Sequence, residues 1–190
     1  MNSFEITKLY TNGLLSAIGG IGQSLEYYNE SLYILGNTGD SINFYQFSLK
    51  TNQLSVLTLK GVPIMQMCCY YTAVINSSFI VFSGYHPAKW ITNMKFYSIS
   101  FESLETQVIS ESADFSLGYS GILVANNSVL VGGGRSMTTG QNRISKVSIF
   151  PNFQATELAP SWKFPPSRKN HAMHLLGKYF YIFGGVFKGN

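Results

Sequence analysis

The stretch "HAMHLLGKYFYIFGG" (residues 171–185) decides the fold. It consists of an apolar run over 171–177, a turn at Gly177 and Lys178, and an aromatic run that ends in Gly184 and Gly185. Two apolar runs separated by a short turn of small or polar residues are typical of a β-hairpin. Three earlier segments have the same shape as the aromatic run and also end in small residues: "SLYILGN" (31–37), "SFIVFSG" (78–84) and "SVLVGGG" (128–134).

The four segments recur at a nearly constant spacing. When Gly36, Ser83, Gly133 and Gly184 are taken as equivalent, the steps are 47, 50 and 51 residues. A first strand precedes each segment (23–29, 70–76, 120–126 and 171–177), a third strand follows three of them (42–49, 93–100 and 142–150), and then a fourth (54–59, 104–109 and 153–158). Four antiparallel strands repeated about every 50 residues predict the blades of a β-propeller.

We therefore expect one all-β domain over residues 1–190, built from partial and complete blades. Its predicted parts are a lone fourth strand at 4–9, blades at 23–59, 70–109 and 120–158, and an incomplete blade at 171–190. The favoured arrangement is part of a propeller of five to seven blades, the rest being absent or supplied by another chain. A closed four-bladed ring, with 4–9 in the same sheet as the last two strands, is the alternative.

One part of the repeat resembles a known family. The segment "PPSRKNHAMHLLGKYFYIFGG" (165–185) is similar to the start of a kelch repeat. The matching positions are Pro166, Arg168, His171, Ala172, Gly184 and Gly185. Leu54, Leu104 and Phe153 stand where the family usually carries Trp. The resemblance implies a kelch-like propeller that binds proteins, as a cytoskeletal or ciliary scaffold or in substrate recognition for a ubiquitin ligase.

The composition argues against nucleic-acid and membrane partners. Only 12% of the residues are charged and the net charge is +4, with no run of five Lys or Arg, so a nucleic-acid footprint is not expected. No stretch of 18 apolar residues is present, so we expect no membrane partner. The adjacent Cys68 and Cys69 cannot easily pair with each other, and the N-terminus lacks a signal-peptide pattern. These features predict a cytoplasmic protein.

No pattern in the sequence predicts a catalytic residue, a cofactor or a metal. The glycine-rich "VGGGRSMTTGQN" (131–142) lacks the GxxxxGK[ST] spacing of a phosphate loop. His171 and His174 fall on opposite faces of a strand, which is unsuitable for chelation of one metal. The "CCYY" stretch (68–71) resembles part of the copper site of galactose oxidase, but the histidines of this chain match no motif of such a site. The alternative to a non-enzyme is a propeller enzyme such as a sugar oxidase or isomerase.

The predicted binding site lies in the loops after the anchor residues. The segments 37–41, 85–90 and 135–141 occupy equivalent places in their units, so they should emerge on one face. Tyr85, His86, Trp90 and Arg135 are residue types that anchor protein interfaces. Ordinary loops, with Trp90 packed on its own blade, are the alternative. The sequence thus predicts a non-catalytic interaction or scaffold module of a larger intracellular assembly. Its expected partner is a protein, and a chain that completes the propeller is one such partner.

Overall fold

The computed structural model describes residues 24–38, 41–68, 70–82, 84–86, 91–93, 95–111, 121–125, 128–132, 144–158 and 169–186. Within these ranges every regular element is a β-strand, and the strands form sheets of two to five members. The all-β prediction is therefore confirmed. The predicted lone strand at 4–9 lies outside the described residues, so the choice between a partial propeller and a four-bladed ring stays a prediction.

The first sheet is a simple antiparallel meander. It contains β1 (Ser24–Tyr28), β2 (Ser31–Thr38), β3 (Ser41–Ser48) and β4 (Gln53–Leu57), hydrogen-bonded in chain order. The turn between β1 and β2 has two residues, Asn29 and Glu30, with φ of 45° and 57°. Two-residue turns with positive φ at both positions match the twist of the flanking strands and so fix the hairpin register.

The second sheet has a strand that the sequence did not predict. Its elements are β5 (Lys60–Gly61), β6 (Tyr71–Ile75), β7 (Ser78–Phe82), β10 (Lys95–Ser100) and β11 (Glu105–Glu111), in the order β5-β11-β10-β7-β6. The short β5 runs parallel to β11, and the Lys60 amide donates to the Leu104 carbonyl at 2.9 Å. A separate hairpin, β8 (Tyr85–His86) with β9 (Ile91–Thr92), lies between β7 and β10 in the chain.

The third sheet repeats the plan of the first. It contains β12 (Gly121–Ala125), β13 (Ser128–Gly132), β14 (Ile144–Ser148) and β15 (Gln154–Leu158), again antiparallel and in chain order. The fourth sheet comprises β16 (Lys169–Leu176) and β17 (Tyr179–Val186). Among the described residues β17 pairs only with β16, whereas each equivalent second strand in the other sheets has a neighbour on both sides.

Successive sheets pack face to face through apolar side chains. Leu35 and Phe44 of the first sheet are in one buried cluster with Phe79 and Tyr97 of the second. The opposite face of the second sheet joins another buried cluster with the third sheet, formed by Ala73, Ile75, Ile80, Phe82, Phe96, Val129, Val131, Val147 and Ile149. The third and fourth sheets meet where Gly132 approaches Met173. Burial of this apolar surface is the main force that holds the sheets together.

The first strands of the four sheets lie next to one another. Strand β1 contacts β6, β6 contacts β12, and β12 contacts β16. In the first and third sheets the fourth strand forms the edge remote from this row of first strands. Each second strand thus pairs with a first strand of this row, and the four can be compared position by position.

Candidate functional site

Equivalent positions of the four second strands can be assigned from their hairpins. Two residues lie between the end of each first strand and the start of its second strand, and the registers pair Tyr28 with Ser31 and Leu176 with Tyr179. Counting from this turn makes Tyr181 the counterpart of three residues: Tyr33, Ile80 and Leu130. The same count makes Phe183 the counterpart of another three: Leu35, Phe82 and Gly132.

The fourth sheet differs from the others in the exposure of these positions. Tyr33 and Leu35 are 7% and 0% exposed, because the second sheet covers them. Tyr181 and Phe183 are 40% and 60% exposed. The positions that three sheets use to pack against the next sheet are therefore open to solvent on the fourth.

The exposed side of the fourth sheet is continuous across both strands. The register places Tyr181 opposite His174 and Tyr179 opposite Leu176, and directly paired residues share one face of a sheet. All of these side chains are exposed. We call His174, Leu176, Tyr179, Tyr181 and Phe183 the open face.

Ring contacts order the open face. The rings of Tyr181 and Phe183 stack with centroids 6.3 Å apart and planes 12° from parallel. The ammonium group of Lys178 lies 5.4 Å from the centroid of the Tyr179 ring. A surface of aromatic and aliphatic side chains with one cation at its border has the composition of a protein-binding surface.

The other side of the fourth sheet is buried. His171 and Met173 are on this side, and both are shielded from solvent. This confirms the prediction that His171 and His174 lie on opposite faces. The sulfur of Met173 sits so near Gly132 that a Cβ at that glycine would be 2.7 Å from it.

The two glycines that end the aromatic strand have a conformational role. Gly184 and Gly185 have φ of 66° and 88°, values that residues with a Cβ rarely adopt. A Cβ at Gly184 would meet no atom within 4 Å, so lack of space does not explain this glycine.

The described residues include only part of the predicted loop site. Tyr85 and His86 form β8, with Tyr85 opposite Thr92 and His86 opposite Ile91. The segment 85–90, predicted to be a loop, thus begins with a short strand. Trp90 and Arg135 lie outside the described residues. Partner binding by Tyr85, His86, Trp90 and Arg135 stays a prediction.

The base of this small hairpin is held by one buried residue, Asn93. Its main-chain N–H donates to the Gly84 carbonyl at 2.8 Å, and its side-chain nitrogen donates to the Lys95 carbonyl at 2.8 Å. Asn93 is almost fully buried. Because a buried polar group is costly to leave unsatisfied, these bonds hold the hairpin in one orientation relative to the second sheet.

Two ionisable side chains, Glu26 and Tyr70, form hydrogen bonds between neighbouring sheets. Thr72 Oγ1 donates to Glu26 Oε1 at 2.7 Å, which connects β1 to β6. Burial raises the pKa of the Glu26 carboxyl, and the hydrogen bond from Thr72 partly opposes that rise. Tyr70 donates its hydroxyl to the Leu35 carbonyl, and burial raises the pKa of that hydroxyl strongly.

Within the described ranges no three His, Cys, Asp or Glu side chains are placed to hold one metal ion. Cys68 is buried and Cys69 lies outside those ranges, so the "CCYY" stretch is seen only in part. In the described part of the chain there is no helix with the length and apolarity that a membrane span requires.

Comparison with known proteins gives a likeness of fold alone. No family model matches the chain, and no curated protein sequence matches it. Solved structures do match, among them the structure of YjhT, with a TM-score of 0.71 and 14% sequence identity. The match covers 86% of this chain and 58% of the YjhT chain, so this chain spans well under two thirds of that neighbour.

Proposed function

We propose that the protein is a non-catalytic interaction module, built as a kelch-like β-propeller, that binds another protein through the open face of its fourth sheet. The four sheets are its blades in this proposal. Two features support the blade arrangement: the first strands lie side by side, and each sheet packs its face on the next. The predicted role in a larger cytoplasmic assembly, whether cytoskeletal, ciliary or ubiquitin-ligase, is part of the same proposal.

One observation carries the proposal. Tyr181 and Phe183 are exposed, whereas their counterparts in the first and second sheets are buried in the clusters that join neighbouring sheets. Their counterparts in the third sheet, Leu130 and Gly132, are also buried, and Gly132 approaches Met173 of the fourth sheet. Isolated exposed apolar residues are common in proteins, but a contiguous aromatic patch marks an interaction site. The side chains that carry the patch come from a hairpin anchored on its other side by Met173 and His171.

Cross-linking from Lys178 tests this function. Lys178 is exposed at the border of the open face, so an amine-reactive cross-linker in native cells should join it to a bound partner. We expect a reproducible cross-linked protein with the wild type and its loss in a variant with Tyr181→Ser and Phe183→Ser. Val56→Ser is the matched control, because Val56 is as exposed on the first sheet as Phe183 is on the fourth.

Retention of the same cross-links by the open-face variant would contradict the proposal. Thermal unfolding of both variants separates a lost interaction from a lost fold. Since the substituted side chains are exposed, we expect the melting temperature to stay within a few degrees of the wild type, in line with about 0.5 kcal/mol for surface substitutions.

A further inference from the structure

Two turns of the molecule share one design: the turn from β3 to β4 and the turn from β10 to β11. In each, the carbonyl of a serine, Ser48 or Ser100, accepts a hydrogen bond at 2.9 Å from the amide four residues later, in Asn52 or Leu104. The same serine hydroxyls accept from the amide three residues later. Asn52 and Leu104 have φ of 56° and 57°, so both turns end in the left-handed region. The two turns can therefore be compared residue by residue.

Leucine is an unusual residue for this position. Asparagine, which the first sheet uses, is among the residues that adopt the left-handed region most readily, whereas a leucine there is strained because its Cβ lies too close to the following carbonyl oxygen. A strained conformation persists only where the surrounding contacts enforce it. The contacts of Leu104 therefore have to offset its strain.

The main-chain contact of Leu104 comes from β5. The Lys60 amide donates to the Leu104 carbonyl at 2.9 Å, and the Val62 amide donates to the Thr106 carbonyl at 3.0 Å. Between these two donors, Gly61 has a φ of 80°, and a Cβ there would be 2.5 Å from the Thr106 carbonyl oxygen. The close approach of β5 to the end of the turn thus requires glycine at position 61.

The side chains of the same turn contact the first sheet. The Phe101 ring stacks on the ring of Tyr28, with centroids 4.2 Å apart and planes 6° from parallel, and its centroid lies 4.4 Å from that of Tyr33. The Leu104 side chain packs against the buried cluster that joins the first and second sheets. We call residues 100–104 the clasp, because they contact β5 through the main chain and the first sheet through side chains.

Strand β5 is the least protected part of this arrangement. Its residues, Lys60 and Gly61, and the two that follow, Val62 and Pro63, are all exposed. Segments with exposed main-chain hydrogen bonds and few buried apolar contacts open locally before the rest of the fold. When β5 opens, Leu104 loses a hydrogen bond whose free energy is of the same order as the cost of its left-handed conformation.

We propose that the clasp is a conformational device that β5 holds closed. While β5 pairs with β11, Leu104 stays in the left-handed region and Phe101 stays stacked on the first sheet. When β5 leaves β11, Leu104 relaxes, the turn opens and Phe101 withdraws from Tyr28 and Tyr33. The chain that connects the two sheets thus also controls how tightly they pack at this end. The device goes beyond the proposed function, since none of its residues belongs to the open face.

Hydrogen exchange of the intact protein tests the device, with Gly61→Val as the variant that prevents the pairing of β5. We expect the amides of Lys60 and Val62 to exchange at least about tenfold faster than in the wild type, a factor that corresponds to about 1.4 kcal/mol, or one hydrogen bond. The amides of Phe101 and Leu104, whose hydrogen bonds close the clasp, should accelerate by a similar factor. Acceleration confined to Lys60 and Val62 would overturn the inference.

Gly177→Val is the matched control. Gly177 also has a positive φ, 60°, but a Cβ there would meet no atom within 4 Å, so this variant strains the backbone without breaking a contact. It should leave the same four amides unchanged, and their acceleration in the control would overturn the inference. Gly61→Ala, which places one methyl group at the same 2.5 Å contact, replaces Gly61→Val if that variant does not fold.

A second substitution separates the strain of Leu104 from the pairing of β5. Leu104→Asn puts at this position the residue that the first sheet uses in the same conformation, so the clasp should stay closed when β5 is released. We expect Gly61→Val to accelerate the Phe101 amide about tenfold with leucine at position 104, and less than about threefold in the Leu104→Asn background. Equal acceleration in the two backgrounds would mean that the strain of Leu104 does not open the clasp, and it would overturn the inference.

Discussion

Thr72 donates a hydrogen bond to the Glu26 carboxylate at 2.7 Å, and this bond joins the first strands of two neighbouring sheets. The carboxylate is mostly buried, and loss of hydration raises its pKa. A hydrogen bond to a charged group contributes more than one between neutral groups. We therefore expect Thr72→Val to lower the free energy of unfolding at neutral pH by about 1–3 kcal/mol, measured by urea denaturation. Thr72→Ser, which keeps the hydroxyl, is the control; an equal loss in both variants would contradict the assignment.

The raised pKa of Glu26 also predicts the direction of a pH effect. In the folded protein the carboxyl holds its proton above the ordinary value of 4.5, so the folded state binds more protons than the unfolded state between that value and the raised pKa. The contribution of Glu26 to stability therefore falls as pH rises through this window and is constant above it. The free energy of unfolding of Glu26→Gln should not show this fall. The stability of the variant relative to the wild type should therefore increase as the pH rises through the window. A difference that is independent of pH would contradict the prediction.

The hydroxyl of Tyr70 predicts a second stabilising contact between sheets. This buried side chain follows the second-sheet edge strand β5 in the chain and reaches the Leu35 carbonyl on the first sheet. Tyr70→Phe removes the donor and keeps the ring. We expect a loss of about 1–2 kcal/mol in the free energy of unfolding, the usual cost of a buried hydrogen bond with one partner removed. Tyr27→Phe, at an exposed position, should change stability by less than about 0.5 kcal/mol. Equal effects of the two substitutions would show that the contact adds nothing.

The backbone at the end of β17 makes a prediction about one glycine. Gly184 has a φ of 66°, and a Cβ added there would meet no atom within 4 Å. Any loss of stability caused by a side chain at this position therefore comes from the backbone conformation alone. Gly184→Ala should cost about 1–2 kcal/mol, the penalty for an L-residue in the left-handed region. Gly184→Asn should cost less, since asparagine tolerates that region best among residues with a Cβ. Thermal unfolding distinguishes the two variants, and a larger loss with asparagine would contradict the explanation.

Most strands of the fold could be predicted because their turns and apolar patterns are local. The two-residue turns at Asn29–Glu30 and Asn76–Ser77 separate runs of apolar residues, and the hairpins form there. Strand β5 could not be predicted, since two residues, Lys60 and Gly61, carry no pattern and pair only because the chain passes the edge of β11.

The candidate site was only partly predictable, for a physical reason. In "YFYIF" (179–183) both faces of the strand carry large apolar residues, so alternation cannot indicate which face is open. The structure assigns Tyr179, Tyr181 and Phe183 to the exposed side. The sequence analysis placed the binding residues in the loops after the anchor residues and not on this strand. The recurrence of Tyr33 at the position of Tyr181 was the signal available in the sequence.

The contact between Gly132 and Met173 predicts a coupling between the third and fourth sheets. A Cβ on Gly132 would be 2.7 Å from the Met173 sulfur and 3.2 Å from its methyl group, so a side chain at 132 must displace that methionine. We expect Gly132→Val to lower the free energy of unfolding by about 1–3 kcal/mol through overpacking. Met173→Ala alone should cost about 2–5 kcal/mol, because it empties a buried site. In the double variant the valine fills the space that the methionine leaves, so the combined loss should be smaller than the sum by about 0.5–3 kcal/mol. Urea denaturation of the four proteins measures this coupling, and strict additivity would mean that the two sheets do not pack through this pair.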